Sequence, residues 1–225
     1  MGGEFFIMRG EIIMATTTTT KYSLTLDNQS GKSGNFCIYT TIPDEEKAKH
    51  DFKSLAWFTK CTPNKTKVEF EWDLDYSLTW CQAGKLTPEV KFKAYQEKGV
   101  TTSGTSKNST ALEKTQDAYR FYNELKPTPV PGGSLDIETS SNIPNGEVSI
   151  GLAIGGKTAL AAIAQPNLQY TFTPNVKYWV AFGDYEEGEV LDLDNMTKTF
   201  EIKYDTNVYD KTVILTIDNL WVEDN

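Results

Sequence analysis

Between Val68 and Trp80 the chain reads VEFEWDLDYSLTW, thirteen residues that alternate without a slip. Val68, Phe70, Trp72, Leu74, Tyr76, Leu78 and Trp80 share one parity. Glu69, Glu71, Asp73, Asp75, Ser77 and Thr79 share the other. An extended backbone sends successive side chains to opposite faces. The stretch therefore predicts one long amphipathic strand, with an aromatic wall against a core and an acidic face in water.

The same period recurs from end to end. Tyr22, Leu24 and Leu26 begin it, Phe36–Tyr39 continue it, and SLAWF at 54–58 reads as a compact apolar strand. Val90, Phe92 and Ala94 alternate with Lys91, Lys93 and Tyr95. Leu135 with Ile137 follow, then Val148–Ile154, Val176–Phe182, Phe200–Tyr204 and Val213–Ile217. Gly, Pro, Asn and Asp fall between the runs, where turn geometry requires them. Many short strands at this spacing predict an all-β fold, an antiparallel β-sandwich of jelly-roll type.

One segment breaks the rhythm. In ALEKTQDAYRFYNELKP, residues Leu112, Tyr119, Tyr122 and Leu125 share a helical stripe. Thr110 and Glu113 have capping-box spacing, and Pro127 bars continuation. This predicts one short helix near residues 111–125, inside an insertion at 101–131, with PTPVPGG as a rigid connector back to strands.

A chain of 225 residues can form a single all-β domain, and residues 21–225 read as one. Residues 1–20 read as an N-terminal leader or extension. Met14-Ala15 before a threonine run resembles a natural start, so residues 1–13 read as an expression leader. The alternative is a native extension whose FFI and EII segments pair along a sheet edge. The formal net charge of −9 speaks against nucleic acid and against anionic membrane surfaces. Cys37, Cys61 and Cys81 are odd in number and lack metal spacing, which suits free thiols in the cytoplasm. No apolar run approaches the roughly 18 residues of a membrane span.

Several motifs together resemble the RhiA-like family, named for the rhizosphere-expressed protein of rhizobia. They are SLAWF (54–58), WDLDYSLTW (72–80) with AGKLTPEVKFKAYQ after it, IGLAIGGKTALAAIAQPN, YWVAFGDYEEGEVLD and LTIDNLWVE. The resemblance covers about residues 21–222. The chain departs from the family in the 101–131 insertion and at Glu89, where the family often has Gly. The resemblance implies an all-β, non-enzymatic protein, and it names no ligand or catalytic set.

The residues that usually carry chemistry are scarce. His50 is the single histidine and reads as a solvated residue of the KAKHDF connection. SGKS at 30–33 lacks the upstream glycine of a phosphate loop, and no serine sits in a G-x-S-x-G elbow. Small residues in GLAIGGK mark a tight bend, a bulge or a close backbone approach. Asp184, Glu186, Glu187, Glu189, Asp192 and Asp194 place six carboxylates in eleven residues. Such oxygens can serve calcium, the one cofactor the sequence suggests, although a solvated acidic face is the simpler reading. Alternate acids among Glu69–Asp75 have a glycosidase-like separation that any acidic strand shares. Trp179, out of phase with its neighbours, reads either as core of an opposing layer or as an outward platform. In the latter case it joins Tyr185 and Asp184 in a ligand site. The expectation is a non-catalytic protein acting by binding or self-assembly, as a homo-oligomer. The alternative is a lectin-like carbohydrate or small-molecule binder.

Overall fold

The computed structural model describes residues 20–42, 50–103, 107–122, 130 and 133–224. The leader up to residue 19, the 43–49 part of the charged connection and most of the PTPVPGG connector lie outside the described residues. Among the described residues every regular element is a strand, and there is no helix.

The described residues form seventeen strands in four sheets. The first sheet has the order β17 (Trp221–Asp224), β16 (Asp210–Leu215), β1 (Tyr22–Asn28), β5 (Thr66–Trp72). The second runs β15 (Phe200–Ile202), β14 (Lys177–Gly183), β2 (Gly34–Thr41), β4 (Phe58–Thr62). The third has five strands: β3 (Lys53–Ser54), β12 (Lys157–Ile163), β11 (Ser149–Ile154), β6 (Tyr76–Cys81), β7 (Gln96–Val100). The fourth is β13 (Gln169–Phe172), β10 (Leu135–Thr139), β8 (Ser109–Thr115), β9 (Ala118–Tyr122). Pairing is antiparallel except for β1 with β16 and β8 with β10.

The alternating stretch is two strands, not one. β5 pairs with β1 in the first sheet, while β6 pairs with β11 and β7 in the third. At the break the Asp75 N–H donates to Asp73 Oδ1 at 3.1 Å, a local side-chain turn that competes with the ladder. Leu74, stranded in that turn, is exposed. Elsewhere the parity holds. Phe70, Trp72, Leu78 and Trp80 are buried, and Glu69, Glu71 and Asp75 are exposed. Thr79 is fully buried because β6 is an interior strand. Its hydroxyl lies 3.4 Å from that of Thr158.

The expected helix is a β-hairpin. Residues 109–115 and 118–122 pair across Gln116-Asp117, with Gln116 at φ 57°. Residues 123–125 lie outside the described residues. Within the second arm Tyr119 and Phe121 are buried while Ala118 and Arg120 are exposed, a period of two that the wider helical spacing masked. The supposed capping pair does other work. Glu113 accepts from Arg120 Nε at 2.8 Å across the hairpin, and Thr110 Oγ1 accepts from Lys98 Nζ at 3.1 Å. Intrinsic propensity is a weak prior, and pairing of β8 with both β9 and β10 overrides it.

Aromatic contacts tie the sheets together. Trp72 of β5 meets Tyr178 of β14 at 5.4 Å, and Phe36 of β2 meets Trp221 of β17 at 5.9 Å. Trp80 of β6 meets Tyr119 of β9 at 5.8 Å. One apolar cluster draws on all four sheets. SLAWF is no single strand but a crossover. Ser54 ends β3, Leu55 bridges Val190, the Trp57 N–H donates to the Ile38 carbonyl, and Phe58 opens β4. GLAIGGK forms the β11–β12 hairpin, with Gly155 and Gly156 both at positive φ and a register shift at Leu152/Ala153.

Candidate functional site

β14 carries Trp179 opposite Tyr39 of β2. Both residues have the parity that turns away from the main core. A second, smaller cluster receives them, with Cys37, Ala56, Ala181 and Leu191 buried and Tyr185, Leu193 and Met196 packed against it. Trp179 is half-buried, stacks on Tyr39 at 6.4 Å, and donates its indole N–H to Thr41 Oγ1 at 3.0 Å. Tyr185 is likewise half-buried, and its carbonyl accepts from Asn35 Nδ2. Asp184 is exposed beside them.

The acids that follow β14 are dispersed rather than gathered. Glu186 ion-pairs with Lys91, and Glu187 with Lys157 at 2.5 Å. Glu189 Oε2 accepts the Glu186 N–H at 2.9 Å, and Asp192 Oδ2 accepts Asn195 Nδ2 at 2.7 Å. Burial raises the Glu189 carboxyl above its ordinary range, Glu89 adds to the shift, and Lys91 opposes it. Among the described residues no three His, Cys, Asp or Glu side chains are grouped to hold a metal ion. Gly188 lets the turn bend tightly. At φ +80°, a Cβ there would lie 2.9 Å from the Phe92 carbonyl oxygen.

Backbone bonds pin the run on both flanks. The Ala56 N–H donates to the Glu189 carbonyl at 2.8 Å, and the Leu191 N–H to that of Ser54 at 3.0 Å. On the other side the Val190 N–H donates to Val90 at 2.8 Å. The acidic run is thereby divided between two grooves. One, of about 320 Å³, takes Glu187 and Gly188 with Lys91, Lys93 and Lys157 around a floor of Phe92 and Ala94. The other, of about 300 Å³, takes Lys53, Asp192 and Asp194 around a floor that includes Phe52, Leu86 and Leu191. Lys53 and Leu86 escaped sequence reading, because segments 52–54, 86–88 and 190–194 meet only in the folded chain.

His50 is half-buried, with its ring 4.6 Å from that of Tyr170. Cys37 and Cys81 are buried, Cys61 is exposed, and all three are free. Burial raises the thiols of Cys37 and Cys81.

These features define an all-β protein of four mostly antiparallel sheets, with charged grooves on either side of one acidic turn. The RhiA family model matches residues 19–224. Protein RhiA of Rhizobium leguminosarum bv. viciae is 35% identical over 207 residues, 90% of this chain and 85% of that protein. The chain belongs to the RhiA family. No solved structure matches it.

Proposed function

We propose that the protein acts by association rather than catalysis, and first of all with further copies of itself. The observation that carries this is an apolar edge. Ile217, Leu220 and Val222 are 65%, 63% and 47% exposed, on the turn and outer strand of the β16–β17 hairpin. β17 is the terminal strand of its sheet, and an edge strand with apolar neighbours is a template for pairing with another chain. Free, mostly buried thiols support a reducing compartment such as the cytoplasm. We further read the chain from residue 21 as one jelly-roll-like β-sandwich domain, supported by the ring contacts between facing sheets.

Size-exclusion chromatography with light scattering, in calcium and again in chelator, tests the assembly reading. A fixed oligomer is expected in both, and Leu220→Lys with Val222→Lys is expected to shift it toward monomer. A monomeric wild type ends the proposal. A calcium-dependent change of elution favours the lectin-like alternative instead.

A further inference from the structure

We propose that the groove between β3, the Leu86–Pro88 loop and the Val190–Asp194 segment binds a small zwitterion with an apolar body, the class an aliphatic α-amino acid represents. Three features of the groove carry the inference, and none depends on self-assembly.

The first is the floor. Phe52, Leu86, Val190 and Leu191 are 7%, 4%, 1% and 5% exposed, so the base is preformed and apolar. The second is size. At about 300 Å³ the groove stands at the lower end of the ~300–1,000 Å³ range of small-molecule sites.

The third is the charge of its lining, which carries both signs. Lys53 lies opposite Ala161 in the β3–β12 ladder. It shares the parity of Leu55, which packs with Leu86, Ala161 and Val190. Its stem therefore runs along the apolar floor with the ammonium at the rim, as long cationic side chains do. Asp192 and Asp194 also line the groove. Asp192 has one carboxylate oxygen taken by Asn195, and Asp194 is exposed with no hydrogen-bond or ion-pair partner among the described residues. A ligand carboxylate suits the lysine and a ligand ammonium the aspartates, with the side chain on the floor. Lys53 is met at 2.8 Å by Asp51, whose side chain is 80% exposed. Exposed pairs of this kind are weak, and a ligand carboxylate takes the place of Asp51.

The test is calorimetric titration of the full chain with L-leucine, leucinamide and N-acetyl-leucine. L-leucine is expected to bind with a Kd on the order of 1 mM, and each analogue, missing one charge, at least ~10-fold more weakly. Lys53→Gln is expected to make leucine and leucinamide bind alike, and Asp194→Asn to narrow the gap between leucine and N-acetyl-leucine. Asp51→Asn is expected to strengthen leucine binding, since it removes the internal competitor. This last variant adds affinity rather than removing it, so misfolding cannot imitate the result. No heat with L-leucine at about 10 mM, equal binding of all three ligands, or an Asp51→Asn protein no better than wild type overturns the proposal.

Discussion

The indole N–H of Trp57 donates to the backbone carbonyl of Ile154 at 3.0 Å, across 97 residues of chain. Trp57 is fully buried and lies at the crossover between the third and second sheets. Ile154 closes β11 just before the Gly155-Gly156 turn. The bond thus locks the SLAWF segment onto the glycine hairpin.

Replacing Trp57 by Phe removes the donor and this link to the β11–β12 hairpin. A lost hydrogen bond costs about 0.5–1.5 kcal/mol, and the smaller ring leaves a space that adds to it. A urea midpoint lowered in proportion to that loss is expected. A Trp57→Phe midpoint equal to wild type refutes the role given to this bond.

Glu89 stands at φ 69°, in the left-handed region, at the position where the resemblance to the family leads one to look for Gly. Left-handed backbone costs an L-residue roughly 1–2 kcal/mol. Glycine gives back about 0.5–1 kcal/mol through its freer unfolded chain. Glu89→Gly is therefore expected to stabilise the protein by roughly 0.5–1 kcal/mol, read as a higher denaturation midpoint. A lower midpoint would show that the Glu89 side chain contributes more than its backbone costs.

Asp136 is fully buried and its Oδ1 has no hydrogen-bond partner. Burial pushes its carboxyl above the ordinary range. Hydrogen bonds from Gln169 and Thr171 oppose that only in part, with Glu138 adding to the shift and His50 reducing it. The folded chain then holds this proton to higher pH than the unfolded chain does. By linkage, stability falls as pH rises from the ordinary aspartate value of about 3.9 through the folded value. Asn at this position carries no such slope. Asp136→Asn is expected to be the more stable protein at neutral pH and to lose that advantage below about pH 4. Denaturant melts at several pH values check this, and a constant offset between the two proteins contradicts it.

Thiol labelling separates the cysteines. Cys61 is exposed while Cys37 and Cys81 are buried, and burial holds both buried thiols in their unreactive form. The native protein is expected to take one label and the denatured protein three. Rapid modification of all three without denaturant would mean that the core opens readily.

Much of the sheet content was legible in the chain, and the reasons differ by segment. Phe70, Trp72, Leu78 and Trp80 face inward because parity alone assigns a side. Asp73 hid the turn that splits their stretch, since its side chain bonds its own backbone without disturbing the alternation. Leu112, Tyr119 and Tyr122 fit a helical stripe as well as a hairpin. What separates the two is the partnership of β8 with β10, contributed by residues more than twenty positions away. The acids at 184–194 were found as a cluster, but not their separate partners Lys91 and Lys157.

Alternation, turn residues and the shortage of histidine and paired cysteine are local or compositional properties. The alternation and turns point to strands along most of the chain, because backbone geometry forces side-chain direction residue by residue. Which sheet each strand joins, and which loops enclose a groove lined by both Lys53 and Asp194, depends on contacts between separate segments of the chain. No local period encodes such contacts. They arise when the apolar faces of the separate sheets are buried against one another.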